Sequence, residues 1–589
     1  MPLFSFFRNF FKRIKQKKQA QAAQNMDQKL VASVTSHRFP RLNQLKFLPS
    51  LLNKKERWAL KIGLLAAILG LIAFGVSFIE NPKHQTPAQG GVFREGILGY
   101  PRFINPILPL TEADKDLSRL IFSSLLVYNA QGELVGDLAK SYDISPDGKT
   151  YTFSLKDASW HDGEPVLAND IVFTIKTIQD PAWRSSLWRS FRGIQVEAVD
   201  DQTIKFQLDK PFASFPSLLT VGIIPLHIWQ SVNPENFSLA VWNIQPVGSG
   251  PWRFQNLTKT KTGQILSYTL EKNQDFYGQT PWLDKLTFFF YDNLESAIQA
   301  LKESRIDALP FVPQTAKEKL PLKRVNAFKM GLPTYTAVFF NERRNSFLET
   351  QAIRQALSLM INKEDLAKLT GGEPVSGPLP PDLLTSAPIS LQKEFNEPKA
   401  AELLKTAGFE LKDNFWQKKD VVITVNLTLI DDPFYQSAAE FIKTAWEKNG
   451  VKTILNVLPA KDFKQTVKNR SYEALLWSQI LNHNFDLFPF WHSSQIDDPG
   501  LNLTSFRNRA GDTLLEEVRT NQDPQKRLAL SLDFLKIIDE QTPAVFLFHP
   551  IHLYAISKKV GGVQLDNLNS SSERFAGLND WFVKKRLKF

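Results

Sequence analysis

The segment Ile62–Ile79, IGLLAAILGLIAFGVSFI, runs for 18 residues without a charge or a proline and splits the chain in two. As an α-helix it would extend roughly 27 Å at about 1.5 Å per residue, close to the hydrocarbon thickness of a bilayer. Trp58 and Lys61 stand at its front edge, where an amphipathic ring and a snorkelling ammonium are at home. Glu80, Asn81 and Pro82 stop it. A buried core helix is the alternative, but the run is apolar on every side and carries Gly63, Gly70 and Gly75. These features predict one transmembrane helix over residues 62–79.

Charge gives that helix a direction. Residues 1–61 carry 14 Lys/Arg against two acids, Asp27 and Glu56. The basic flank stays in the cytoplasm, so everything after residue 80 is expected outside. A cleavable signal peptide fits poorly: its positive region would be 61 residues long, and no small-x-small site follows Ile79. Within 1–61, Phe4, Phe6, Phe7, Phe10, Phe11 and Ile14 interleave with Arg8, Lys12, Arg13, Lys15, Lys17 and Lys18. That composition suits an interfacial helix on anionic lipid, or equally a disordered basic tail. The rest of the chain holds 57 basic and 58 acidic side chains. It has no cationic surplus with which to track phosphates, which argues against a nucleic-acid partner.

Residues 80–90, ENPKHQTPAQG, read as a linker. The body from Gly91 onward is part of a 589-residue chain, roughly three or four domains' worth of sequence. Lys149–Lys156 alternates Tyr151, Phe153 and Leu155 with polar residues after the turn pair Asp147-Gly148. Gln202–Leu208 alternates Ile204, Phe206 and Leu208. Thr350 caps a predicted helix with Ile353, Leu357, Met360 and Ile361 on one face. Pro398 starts and Gly408 ends another, and Gln436–Asn449 is a third. Strands and helices interleave without a strict βαβ rhythm, which gives an α/β or mixed class in more than one lobe.

Motifs for chemistry are scarce. Cysteine is absent, which removes disulfides, thiolate metal sites, a cysteine nucleophile and a lipidated cysteine anchor. Gly148-Lys149-Thr150 lacks the upstream glycine of a phosphate loop, since that position is Asp143. Gly248-Ser249-Gly250 is not a nucleophile elbow. His483 and His492 are scattered rather than set at metal-ligand spacing, and Asp431-Asp432 and Asp497-Asp498 read as caps or turns. The chain is therefore expected to be no enzyme and to use no metal or cofactor.

In order, the motifs of the body resemble the family-5 solute-binding proteins of ABC importers. Asn105-Pro106 sits at the early Asn/Asp-Pro, and LLVYNAQGELVGDLAKSYDISPDGKTYTFSLK, Leu125–Lys156, resembles the opening signature. Trp160-His161-Asp162-Gly163 with Asn169–Phe173, PVGSGPWRF over Pro246–Phe254, Asn273–Tyr277, Arg305-Ile306-Asp307 and Phe339–Ile361 follow in turn. Each motif also has a structural reading; Asp162-Gly163 is a turn, Gly248 and Gly250 shape a bend, and the Arg354 helix is packing.

The resemblance implies a two-lobed periplasmic-binding-protein-like fold, class II with an extra subdomain. Lobe I would span 91–310 and be completed by 546–589; lobe II would span 311–545. Phe546–Tyr554, FLFHPIHLY, would be a buried returning strand. An oligopeptide-like solute would be enclosed between the lobes and delivered to an ABC permease by a monomeric protein. By position, the resemblance makes Tyr100 and Arg102 ligand-lining residues of lobe I, and Trp477, Gln479 and Asp486 those of lobe II; Trp252 and Trp491 are either stacking surfaces for the ligand or, equally, core side chains. Peptide binders of the family place an Asp shortly after the Trp to hold a free amino terminus. Here that position is Ile480 and the only nearby acid is Asp486, so a blocked or cyclic peptide or an oligosaccharide stays open. A peptide-sensing receptor signalling through residues 1–61 is the alternative in another class, and a hydrolase on the same scaffold is a third.

Overall fold

The computed structural model describes residues 53–80, 85–108, 110–379, 394–481, 486–565, 568 and 570–587. By its contacts the chain divides into residues 1–86 with 587–589, and residues 87–586. In the first unit α1 (Lys54–Glu80) is a helix of 27 residues. Its start is fixed by Asn53 and Glu56, each accepting the other's backbone N–H at 3.0 Å. Every side chain from Arg57 to Ala73 is exposed, the Leu and Ile residues included. Among the described side chains, which end at Ala73 in this helix, no helix is long and apolar enough to cross a membrane. Phe74–Ile79, the remainder of the expected span, and residues 1–52 of the basic segment lie outside them.

The second unit opens with β1 (Val92–Leu98) and α2 (Glu112–Ile121). Thr111 and Asp114 close a capping box on α2. A small antiparallel sheet follows, built from β2 (Ala139–Ile144), β3 (Thr150–Leu155), β4 (Gln195–Asp200) and β5 (Thr203–Gln207), with α3 (Ala168–Gln179) inserted after β3. The alternation read in the sequence faces Tyr151, Phe153 and Leu155 inward, and Phe153 packs on Tyr142 and edge-on to Phe206. Each such burial contributes about 1.5–3 kcal/mol. The chain then adds β6 (Trp252–Lys259), β7 (Ile265–Lys272), β8 (Lys285–Tyr291), β9 (Ala308–Pro313) and β10 (Val325–Met330).

Next come β11 (Thr334–Phe340), α4 (Gln351–Leu359), β12 (Gly372–Pro374), β13 (Thr424–Ile430), α5 (Pro433–Lys448), β14 (Lys452–Leu458) and β15 (Ala474–Ile480). The chain continues through α6 (Arg509–Thr520), α7 (Pro524–Gln541), β16 (Ala544–Pro550) and β17 (His552–Ser557). Among the described residues, one seven-stranded sheet runs β10-β17-β9-β1-β8-β7-β6, and one six-stranded sheet runs β12-β16-β11-β15-β13-β14.

These two sheets are the cores of two lobes, and the chain passes between them at 331–333 and again at Ile551. The expected boundaries at 310/311 and 545/546 differ from this. Residues 311–330 stay with the first sheet, because β9 and β10 both pair antiparallel with β17. Phe546–Tyr554 is two strands rather than one: β16 pairs with β11 in the second sheet, and β17 belongs to the first.

The chain bends at Gly250, as expected, and Gly248 and Gly250 also answer to close approach. A Cβ on Gly248 would lie 2.0 Å from the carbonyl oxygen of Ile121, at the end of α2. The same loop is held by His161. Its Nε2 donates to Gly250 O at 3.0 Å, and its Nδ1 accepts from Gly248 N at 3.2 Å, so the ring is neutral. Burial pushes its pKa down to about 4. Below the ordinary value of 6.5 the unfolded chain takes a proton that the folded chain refuses. Stability therefore falls as pH drops through that window, by on the order of 3 kcal/mol at its lower end. Urea unfolding at about pH 7 and about pH 4.5 is expected to show this loss, and H161Q is expected to reduce it by about 2 kcal/mol. An equal loss in both proteins would remove His161 as the cause.

Candidate functional site

The end of α6 meets the first lobe. Ala213 N donates to Arg519 O at 2.9 Å, and a Cβ on Gly148, in the turn before β3, would lie 3.0 Å from Gln522 Nε2. The Arg519 guanidinium lies 3.8 Å from the centroid of the Phe488 ring in its own lobe and 5.5 Å from that of Phe212 in the other. Its Nε and Nη2 reach Asp486 Oδ2 at 2.9 and 2.6 Å. Asp486 Oδ1 accepts from Phe488 N at 3.1 Å. This buried carboxylate therefore orients both the arginine and the turn Phe488–Trp491.

Beside that contact is a cavity of about 510 Å³ shared by the lobes. Trp188, Arg189, Arg192 and Phe212 line it from the first lobe, and Asp486, Phe488, Leu501 and Arg519 from the second. Its size suits a small guest. A larger cavity of about 760 Å³ lies wholly within the first lobe, between α2 and residues 570–579. Arg119, Tyr128, Asp137, Trp252 and Glu573 stand on its wall. Burial lowers the Arg119 pKa, against the pull of Glu573 and Asp137.

The residues singled out in the sequence are dispersed. Asp486 lines the interlobe cavity and Trp252 the first-lobe cavity. Trp252 and Trp491 are both packed in hydrophobic cores, at 0% and 1% exposure, so the stacking surfaces expected of them face other side chains. Trp477 is half-buried, stacked at 5.3 Å on Tyr435 and tilted against Phe463. Gln479 is buried; its Oε1 accepts from the Tyr335 hydroxyl and its Nε2 donates to Leu501 O at 3.0 Å. Tyr100 is half-buried and donates to Asp292 Oδ1 at 2.8 Å; burial raises its hydroxyl pKa. The Arg102 side chain is exposed, while its backbone N–H is held by Asp114 at 2.6 Å.

Two of these positions share a topological feature. Tyr100 follows the C-terminal end of β1, which pairs in parallel with β8 and β9. Gln479 lies near the C-terminal end of β15, whose last residue is paired with Thr334 just after the first crossing. Ligands of open α/β sheets gather at such carboxyl ends. Sequence reading missed Trp188, Arg189, Arg192, Phe212, Phe488 and Arg519. Only the aromatic–basic run Trp188–Arg192 carried a signal. Among the described residues no group of three His, Asp or Glu is placed to hold a metal.

Two sheet-cored lobes, two crossings between them and a cavity at their junction define a solute-binding fold. The chain belongs to the bacterial extracellular solute-binding proteins, family 5, whose sequence profile matches residues 133–512. It is 24% identical over 498 residues to the oligopeptide-binding protein AppA of Bacillus subtilis, covering 81% of this chain and 89% of that protein. It is also 24% identical over 507 residues to the dipeptide-binding protein of Escherichia coli, covering 80% and 91%. Among solved structures it is similar to the ABC transporter substrate-binding protein CtaP of Listeria monocytogenes. There the TM-score is 0.73 at 25% identity, over 84% of this chain and 100% of that one.

Proposed function

We propose that this protein captures oligopeptide-like solutes outside the cytoplasmic membrane and passes them to an ABC import permease, with α1 as its membrane anchor. The observation that carries the reading is the cavity shared by two lobes that meet at Arg519 and Phe212. A guest filling that space would gain contacts with both lobes only when they are closed, which is what binding by closure requires. Relatives named for oligopeptide and dipeptide binding support peptide as the guest. In this reading Asp486 stands on the wall that meets the guest, while Tyr100, Arg102, Trp477 and Gln479 lie off that wall and mark a second place for it along the strand ends.

The anchor rests on a different argument. An exposed Leu/Ile helix has no favourable partner in water, and apolar surface of this extent marks an interaction with lipid or protein. The basic flank before it gives the orientation. A tether also raises the local concentration of the binder at its permease.

One preparation tests both parts. The full chain is expected to resist alkaline carbonate extraction from membranes. Purified in detergent, it is expected to release a bound peptide in native mass spectrometry, or to gain one from a peptide library. Carbonate-soluble protein would remove the anchor. Failure to retain or bind any peptide would remove peptide as the guest.

A further inference from the structure

We propose that the guest is recognised through an anionic group, with Arg189 and Arg192 as its specificity-determining partners in the interlobe cavity. The proposal rests on the reading of that cavity as the guest's site. Three arginines line its wall and one acid does, Asp486. Arg519 is already engaged by Asp486 at 2.6 Å. Among the described residues no carboxylate pairs with Arg189 or Arg192, although both are placed on the wall. The body as a whole is electrically balanced, so two unneutralised guanidinium groups in one cavity are a local excess.

The physical setting favours a carboxylate. Both arginines belong to one short turn, Trp188–Phe191 and the residue after it, so their like charges repel until an anion enters. Arg192 lies 5.4 Å from the Trp188 ring, which holds the guanidinium in place before binding. Trp188, Phe212 and Phe488 form apolar wall on both sides, while Arg189 and Arg192 are themselves exposed, so their attraction for an anion is partly screened by water and salt. The planar fork of arginine matches a carboxylate with two hydrogen bonds. An acidic peptide is the guest this arrangement fits best; a dicarboxylate of another kind shares the chemistry.

The test uses the full chain in detergent and matched probes. Calorimetry compares Ala-Glu-Glu-Ala with Ala-Gln-Gln-Ala, and glutarate with glutaramide. The acidic probe of each pair is expected to bind at least about tenfold more tightly. That preference is expected to shrink at about 0.3 M salt. The double variant R189Q/R192Q is expected to abolish it while leaving the neutral probe within about twofold. Equal affinity for acidic and amide probes would overturn the inference, as would a preference that survives in R189Q/R192Q. Arginine-dependent binding of glutarate with no peptide bound would uphold the anionic guest and remove the peptide reading. Binding of no acidic probe at all would overturn it outright.

Discussion

Replacing Arg574 by methionine is expected to destabilise the first lobe by about 3–5 kcal/mol at neutral pH, the usual cost of stranding a buried charge. Arg574 has no exposed surface, and neither have Glu95 and Asp116 to within 1%. Its Nη2 lies 2.6 Å from a carboxylate oxygen of each. Its Nη1 donates to Asp116 Oδ1 at 2.8 Å and to Ser571 O at 2.7 Å, and the guanidinium rests 4.1 Å from the Phe575 ring centroid. The Tyr554 hydroxyl donates to the other oxygen of Glu95. Strand β1, helix α2, strand β17 and the C-terminal segment thus meet on one cation.

Two carboxylates face that cation, and burial pushes both of their pKa values up even with Arg574 present. Without it they would hold protons still more strongly in the folded state. A folded pKa above the unfolded one means stability present at low pH and lost as pH rises through the folded value. The penalty of R574M is therefore expected to be largest near pH 7 and smaller near about pH 5. Denaturant unfolding at the two pH values reads this directly. The triple variant R574M/E95L/D116L, which removes the stranded charges too, is expected to recover most of the loss. If R574M alone unfolds at the same denaturant concentration as the parent at pH 7, the cluster is not holding the lobe together.

Nothing in the local sequence announces this cluster, because its members stand at positions 95, 116, 554 and 574, on two strands, a helix and a C-terminal turn that meet only through tertiary packing. What the sequence did expose was periodic or motif-borne. The alternation in Lys149–Lys156 became β3, and that in Gln202–Leu208 became β5. The helix after Thr350 formed at Gln351–Leu359, although the Thr350 side chain makes no capping bond. Gly148 takes a φ of +67°, as the Asp-Gly turn required. Family resemblance supplied the two lobes, but not where the chain crosses between them. The apolar run Phe546–Tyr554 hides a switch of sheets at Ile551 that hydrophobicity does not mark, since the strands on both sides are buried. The candidate site was legible at Asp486 and little further. Trp252 and Trp491 stood out by residue type, yet a large aromatic side chain serves a core as readily as a cleft. That Arg189 and Arg519 share a cavity was invisible, because they come together only through the meeting of lobes.

That meeting is the second place where one residue should decide much. R519A is expected to weaken guest binding by about tenfold or more, because it strips the closed form of contacts that the open form does not have. Arg519 is the residue through which the second lobe touches Phe212 and Ala213 of the first. It also neutralises Asp486, whose side chain is only 6% exposed. Removing the cation from that carboxylate is expected to cost about 2–3 kcal/mol of stability, less than for a wholly enclosed pair because the Arg519 side chain is 30% exposed. Two effects are thus mixed in R519A, and F212A separates them. Phe212 belongs to the other lobe and has no part in the ion pair, so F212A is expected to weaken binding while leaving the second lobe's unfolding unchanged. X-ray scattering with and without peptide reads closure itself. Both variants are expected to stay more open than the parent at the same peptide concentration. If F212A and R519A close and bind as the parent does, the cavity at this contact is not where the guest is held, and the site must be sought along the strand ends that carry Tyr100 and Gln479.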